Sequence, residues 1–204
     1  MKTLIAVGLQ NPGSNPHAAP MTASLRTRYD PIAIAFHWLL ALAIVGSFSV
    51  GLVMSDLAMS PTRLKLFNWH KWAGITILAL SAARLLWRLA HRPPADLPMP
   101  TWQRRAAHAT HIVLYLLFFL VPLAGWAYSS AAGFPVVVFG VIPLPDFVPV
   151  DKALAEVLKS RHQMLAFTLA VVVLVHIAAA LKHHFLDRDG LLQRMWPRSA
   201  SPTP

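Results

Sequence analysis

Four histidines lie inside or at the mouths of the apolar segments of this chain, and their type and spacing point most directly to chemistry. They are His37, His70, His162 and His176. An ionisable side chain is costly in hydrocarbon, so a histidine at such a position is a candidate functional residue. Imidazole is also a standard axial ligand of haem iron, and two haems stacked in a helix bundle would conduct electrons across a membrane.

The composition favours a membrane protein and limits how a haem could be held. The 204 residues are 56% hydrophobic and only 13% charged, and the mean hydropathy is +0.52, which is too apolar for a soluble domain of this size. The chain has no cysteine, so disulfides, thiolate metal sites and covalent c-type haem are excluded. Any haem must therefore be bound by packing and histidine.

Four apolar stretches are each long enough to cross a bilayer as a helix. They are residues 31–54, 67–89, 106–129 and 161–185. Four such spans with three connections predict an all-α, integral membrane four-helix bundle in one domain, residues 29–197. We expect residues 1–28 to form a disordered extension, in which Met21 is a candidate start of translation, and residues 198–204 to form a disordered tail.

The three connections differ in kind. Residues 56–66 are typical of a short polar turn, and residues 91–105 contain four prolines that predict a stiff extended connector. The stretch 131–159 also contains four prolines, which interrupt a helix. Its apolar run 136–142 is therefore expected to form a cap lying on the bundle, and a fifth span is not expected.

The formal net charge of +10 could suggest nucleic acid, but its distribution is typical of orientation in a bilayer. Twelve of the 18 Lys and Arg residues fall on the side of the termini. Positive charge accumulates on the cytoplasmic side of membrane proteins. We therefore expect a multi-pass protein of the bacterial inner membrane with cytoplasmic termini and no nucleic-acid partner.

The depths of the four histidines in the membrane group them into two pairs. His162 and His176 are 14 residues apart. On a helix this separation is about 21 Å along the axis and a rotation about 40° short of four full turns, so both imidazoles project from the same face. With cytoplasmic termini, His176 matches the level of His37, and His162 matches the external level of His70. A lone intramembrane histidine is as often a hydrogen-bonding residue as a ligand. By depth alone, His111 could also replace His37 or His176.

Six short segments together resemble the bacterial cytochrome b561 family. They are 35–38 (AFHW), 68–74 (NWHKWAG), 84–88 (RLLWR), 108–115 (HATHIVLY), 161–163 (RHQ) and 176–185 (HIAAALKHHF). The likeness extends from about Tyr29 to Pro197 and is closest to the superoxide:ubiquinone oxidoreductase type. It implies a four-helix bundle with two b haems.

The resemblance also implies a role for individual residues. His37 and His176 would ligate the haem on the cytoplasmic side, and His70 and His162 the haem on the external side. That pairing agrees with the one by depth. His108 and His111 would then be neighbours of a haem or partners of its propionates.

The implied activity is oxidation of superoxide at the external face and reduction of ubiquinone in the membrane. The external face carries six basic and four acidic residues, and Lys71 and Arg161 adjoin the two external ligands. Their charge would attract a small anion such as superoxide, or it would pair with haem propionates.

For the quinone, His183 follows His176 by two helical turns and could hydrogen-bond a carbonyl or relay a proton. Arg84 and Arg88 could support the same pocket, bind propionates or extend to the membrane surface. Two other classes of function stay open. One is an electron-transfer subunit that passes quinol electrons to a periplasmic partner, and the other is a non-redox membrane protein whose histidines relay protons.

Overall fold

The computed structural model describes residues 28–197, and four long helices account for most of them. They are α1 (Pro31–Asp56), α2 (Pro61–Ala90), α3 (Thr101–Ala131) and α4 (Lys152–Lys182). Each is long and apolar enough to cross a membrane. The prediction of an all-α four-helix membrane protein is confirmed.

The outer surface of the helices is apolar. Leu42, Leu86 and Leu174 are 70%, 67% and 65% exposed, whereas the buried cluster that joins the helices is small and centres on Leu117 and Phe118. Water would penalise so much exposed apolar surface, but lipid would not. The bundle is therefore built to be covered by a bilayer.

The helices are longer than the apolar spans predicted from the sequence. Helix α2 begins at Pro61 after Ser60, whose side chain accepts a hydrogen bond from the Arg63 N–H. Helix α4 begins at Lys152 after Asp151, whose side chain caps the N–H of Leu154. Hydropathy detects only the apolar part of a helix, whereas these caps satisfy the first N–H groups and let polar turns extend it.

This extension corrects two sequence-based expectations. The apolar spans predict that His162 opens the fourth helix and that His70 lies near the start of the second, but each lies roughly two and a half turns inside its helix. The connections shorten in the same way. The α1–α2 turn is reduced to residues 57–60, and the proline-containing connector to residues 91–100.

The apolar run 136–142 does not form a span. It folds as a hairpin of two short antiparallel strands, β1 (Val137–Val138) and β2 (Ile142–Pro143). The indole N–H of Trp72 in α2 donates to the Val137 carbonyl at 2.6 Å. The hairpin thus lies on the bundle as the cap that the prolines predicted.

The two ends of the described chain meet at one end of the bundle, which we call the terminal face. The Tyr29 N–H bonds to the Arg194 carbonyl, 3.4 Å away, and the Trp38 indole donates to Met195 O at 2.8 Å. The opposite end, with residues 57–60 and the hairpin, is the hairpin face. Residues 1–27 and 198–204, expected to be disordered, lie outside the described residues, and Arg28 is the first one described.

Candidate functional site

The four histidines form two pairs at different levels of the bundle. At the hairpin-face level, the ring centroids of His70 on α2 and His162 on α4 are 6.0 Å apart and their planes meet at 81°. Nearer the terminal face, the rings of His37 on α1 and His176 on α4 are 6.3 Å apart. The structure therefore brings together the same partners that depth paired.

Both histidines of the hairpin-face pair are anchored to backbone carbonyls. Nδ1 of His70 lies 2.9 Å from the Ser47 carbonyl oxygen, and Nδ1 of His162 lies 3.0 Å from that of Val121. A carbonyl can only accept, so each Nδ1 carries the proton and donates it. This tautomer leaves Nε2 with a lone pair that a metal could use, and the hydrogen bond from Nδ1 fixes the ring orientation, as such bonds do in histidines that ligate metals.

A glycine lies under each of these two rings. A Cβ on Gly51 would lie 3.1 Å from Cε1 of His70, and one on Gly125 would lie 3.0 Å from Cε1 of His162. Glycine in a helix interior costs about 1 kcal/mol relative to alanine. At these two positions glycine leaves room for the imidazole to reach the carbonyl of the residue four positions before the glycine, which is Ser47 or Val121. Sequence reasoning missed both glycines, and their only signal was their position inside apolar spans.

The pair nearer the terminal face has a third histidine beside it. The ring of His111 on α3 is 5.5 Å from that of His176, which is closer than the ring of His37. Nδ1 of His37 is buried, with no hydrogen-bond partner among residues 28–197. Three imidazoles thus meet at this level, and separation alone does not distinguish His37 from His111 as the partner of His176.

The residues at both levels fit a metal held by two histidines. With metal–nitrogen bonds of about 2 Å, two imidazoles on one ion have ring centroids about 6 Å apart, close to the separations in both pairs. The orphaned nitrogen of His37 and the glycines under His70 and His162 also suit a cofactor between the rings. Since the chain has no cysteine, a thiolate ligand is excluded, and the paired histidines are the ligands that these two levels offer to a haem iron.

The other residues predicted to bind propionates or to attract an anion lie in different surroundings. Nζ of Lys71 donates to the carbonyl oxygens of Phe134 and Pro135, at 3.4 and 3.2 Å, so this ammonium group holds the segment before the hairpin. Arg161 is exposed. His108 is also exposed, and its Nε2 lies 3.3 Å from Asp96 in the connector.

His183 begins a one-turn π-helix, His183–Asp187, at the terminal face. Its Nδ1 lies 2.6 Å from Asp189 and 3.2 Å from Asp187, and Asp187 also pairs with Lys182 at 2.6 Å. Burial raises the pKa of Asp189, but hydrogen bonds from the Leu191 N–H and His183 outweigh it and hold that pKa below the ordinary value. His183, Asp187 and Asp189 border a cavity of about 310 Å³, which residues of the connector also line.

Arg84 and Arg88 lie beside a different feature, a groove between α2 and α3. The groove has a volume of about 610 Å³, and Arg88 lines it. Its other lining residues are apolar side chains and one tyrosine: Leu85, Leu89, Pro93, Ile112, Tyr115, Leu116, Phe119 and Leu120. Cζ of Arg84 lies 5.7 Å from the ring centre of Tyr115. His183 lines the terminal-face cavity and not this groove.

Comparisons with known proteins agree with this architecture. The family model described as prokaryotic cytochrome b561 matches residues 28–198. Cytochrome b561 homolog 2 of Escherichia coli (strain K12) is 38% identical over 176 residues, covering 85% of this chain and 94% of that protein. The probable superoxide oxidase CybB of Yersinia pestis is 31% identical over 175 residues, covering 85% and 98%. Cytochrome b561 homolog 1 of E. coli (strain K12) is 30% identical over 175 residues, covering 84% and 98%.

Proposed function

Since this chain belongs to the prokaryotic cytochrome b561 family of membrane electron-transfer proteins, we propose that it carries electrons from superoxide to ubiquinone. Membership of the family implies b-type haem. The proposal adds that there are two haems, that superoxide is oxidised at the hairpin face, and that ubiquinone is reduced near the terminal face.

In this proposal His70 and His162 hold one haem, and His37 and His176 hold the other. A bound b haem supplies reversible one-electron chemistry that amino-acid side chains lack. The observation that carries the proposal is the matched anchoring of the hairpin-face pair. Both imidazoles donate from Nδ1 to a backbone carbonyl, at 2.9 and 3.0 Å, which orients both rings and keeps Nε2 for iron.

The choice of His37 over His111 rests on the sequence. His37 matches the depth of His176, and it stands in the AFHW segment that resembles the family. Its buried, unpartnered nitrogen is also the sort of polar atom that a bound cofactor environment would satisfy. His111 then packs against His176 as its neighbour.

Surface charge and the name of one relative both support oxidation of superoxide at the hairpin face. The exposed guanidinium of Arg161 adjoins His162 on an external face with more basic than acidic residues, and such a field attracts a small anion. The Yersinia relative bears the name of a probable superoxide oxidase at 31% identity. Two superoxide ions give up one electron each and become two O₂, and the two electrons with two protons convert one ubiquinone to ubiquinol.

The orientation follows the Lys and Arg distribution. By the spans predicted from the sequence, 12 of the 18 Lys and Arg residues fall on the side of the termini. In the proposed orientation the terminal face is therefore cytoplasmic and the hairpin face periplasmic, in the bacterial inner membrane. Superoxide would then be consumed outside the cytoplasm, and the protons for quinol would come from the cytoplasmic side.

A second function is an electron carrier that passes quinol electrons to a periplasmic partner. The name of the relative at 38% identity, cytochrome b561 homolog 2, specifies no substrate and is compatible with either function. The two functions predict opposite directions of electron flow.

The test uses the full chain with its haems in nanodiscs. A superoxide source should reduce the b haems, and added ubiquinone should reoxidise them with formation of ubiquinol. Superoxide dismutase, added as a control, should abolish the reduction. If ubiquinol reduces the haems while a superoxide source does not, superoxide oxidation is wrong and the carrier function remains.

A further inference from the structure

We propose that the groove between α2 and α3 is the ubiquinone site, with Tyr115 and Arg88 as hydrogen-bond donors to the quinone carbonyl oxygens. This inference rests on the proposed function and specifies where its second substrate binds. It differs from the sequence-based expectation that centred on His183.

The groove has the size and surface that a membrane quinone requires. Its volume of about 610 Å³ lies within the range of about 300 to 1,000 Å³ usual for small-molecule sites. The walls are leucine, isoleucine and phenylalanine side chains from α2 and α3, together with Pro93 of the connector. Leu89 and Ile112, which line it, are 76% and 61% exposed. A quinone could therefore enter from the bilayer with its isoprenoid tail still in lipid.

Two polar groups give this apolar groove a preference for carbonyl oxygen. The hydroxyl of Tyr115 is buried and has no hydrogen-bond partner among residues 28–197, an unfavourable state that an acceptor would relieve. Arg88 lines the same groove and is exposed, so its guanidinium is available as a donor. A lipid acyl chain carries no acceptor for either group, whereas the quinone ring carries two carbonyls.

Arg84 lies beside Tyr115 and adds to the preference of the groove for a carbonyl oxygen. Its Cζ lies 5.7 Å from the Tyr115 ring centre, within the range of a cation–π contact. The contact holds the ring in place. Two arginines and one hydroxyl would together stabilise the negative charge that builds on quinone oxygen as electrons arrive.

The groove is next to the histidines of the terminal-face level. Tyr115 follows His111 by one helical turn, about 6 Å along α3, and the His111 ring is 5.5 Å from that of His176. Nδ1 of His183, in contrast, is already held by Asp189 at 2.6 Å, beside a separate cavity. The unused donors therefore favour the groove.

The first experiment labels the wild-type holoprotein with a photoreactive azido-ubiquinone in nanodiscs and maps the labelled peptides. Label on α2 and α3 around Leu89 and Leu116, competed by ubiquinone-1, is expected. Label confined to the peptide that contains His183 would overturn the groove and move the quinone to the terminal-face cavity. Because no residue is changed, folding of a variant does not affect this result.

The second experiment compares variants in the groove with matched variants outside it. Tyr115→Phe and Arg88→Leu should each raise the KM for ubiquinone-1 about 10-fold, the effect of losing one charge-assisted or buried hydrogen bond. Haem content and superoxide-driven haem reduction without quinone should not change. Tyr128→Phe on α3 and Arg92→Leu after α2 are the controls and should match the wild type.

The outcomes separate this inference from the proposed function. If superoxide fails to drive ubiquinol formation in the wild type, the proposed function is wrong. If the wild type forms ubiquinol and both groove variants keep its KM, the quinone binds elsewhere and the inference is wrong. A rise in KM with His183→Ala and not with the groove variants would likewise place the quinone outside the groove.

Discussion

His162 on α4 lies directly against Gly125 on α3, with its Cε1 3.0 Å from the point where a glycine Cβ would stand. Its Nδ1 reaches the carbonyl four residues before that glycine, at Val121. His70 and Gly51 repeat the relationship between α2 and α1. Each helix pair thus uses one glycine to bring an imidazole onto a backbone carbonyl, and the two imidazoles meet across the bundle.

Adding a methyl group under either ring should disturb the hairpin-face haem alone. Gly125→Ala would force a contact of about 3.0 Å with His162, so the imidazole must shift away from the Val121 carbonyl and lose its orientation. If the chain binds two haems, as proposed, we expect this variant, and Gly51→Ala, to bind about one haem per chain. Haem is measured by pyridine haemochrome absorbance against protein concentration.

Gly46→Ala is the matched control on α1. A Cβ at Gly46 meets no described atom within 4 Å outside its own helix, and alanine stabilises a helix by about 1 kcal/mol relative to glycine. This variant should keep both haems and unfold at the same or a higher temperature. If Gly125→Ala also keeps both, the close approach of Gly125 and His162 is not needed for haem binding.

The histidine pairs predict a simple stoichiometry. Because α4 provides one ligand at each level, His162→Ala should lose the hairpin-face haem and His176→Ala the other, with about one haem retained in each variant. His111→Ala should retain both. Low-spin absorbance bands and haem content measure the result. Loss of a haem in His111→Ala but not in His37→Ala would make His111 the partner of His176.

The spans and the levels of the histidines could be predicted because they depend on local properties. Hydropathy detects an apolar helix, and the fixed rise per residue places His162 and His176 at two depths on one face. The helix ends could not be placed in this way. Asp151 and Ser60 extend α4 and α2 by polar turns that hydropathy does not detect.

Contacts between helices could not be predicted, because they depend on how each helix is rotated about its axis. Hydropathy and spacing do not define the rotation of α3 relative to α4, so they could not show that the ring of His111 comes within 5.5 Å of His176. The glycines under the imidazoles, the groove beside Tyr115 and the pairing of His183 with Asp189 depend on the same packing.

The carboxyl group of Asp30 should make stability depend on pH in acid. It accepts hydrogen bonds from the Ala33 N–H at 2.9 Å and the Trp87 indole at 3.1 Å. Burial raises its pKa, but these bonds outweigh burial and hold the pKa below the ordinary value of 3.8. A depressed pKa contributes stability above 3.8, which is lost as the pH falls through the lower folded value.

Asp30→Ala should therefore lower the free energy of unfolding by about 1 kcal/mol at neutral pH, as expected for loss of an N-cap. The difference from the wild type should shrink as the pH falls below 3.8. Thermal unfolding in detergent over a pH series measures both. A difference that stays constant into strong acid would mean that the charge on Asp30 contributes nothing.

Arg161 and Lys71 should differ in their effect on the reaction with superoxide. Arg161 is exposed beside His162, whereas Lys71 donates to the Phe134 and Pro135 carbonyls at 3.4 and 3.2 Å. Exposed charge that steers an anion acts over a Debye length, about 10 Å at 0.1 M salt. Arg161→Gln should thus slow superoxide-driven haem reduction about 2-fold or more at low salt and weaken its dependence on ionic strength.

Lys71→Gln should also slow superoxide-driven haem reduction. In addition it should loosen the segment before the hairpin, which hydrogen exchange at residues 134–138 would detect. Arg104→Gln, at the terminal face, is the control and should leave the rate unchanged. A wild-type rate that does not fall as salt is added would contradict electrostatic steering and leave Lys71 as a structural residue that holds the cap.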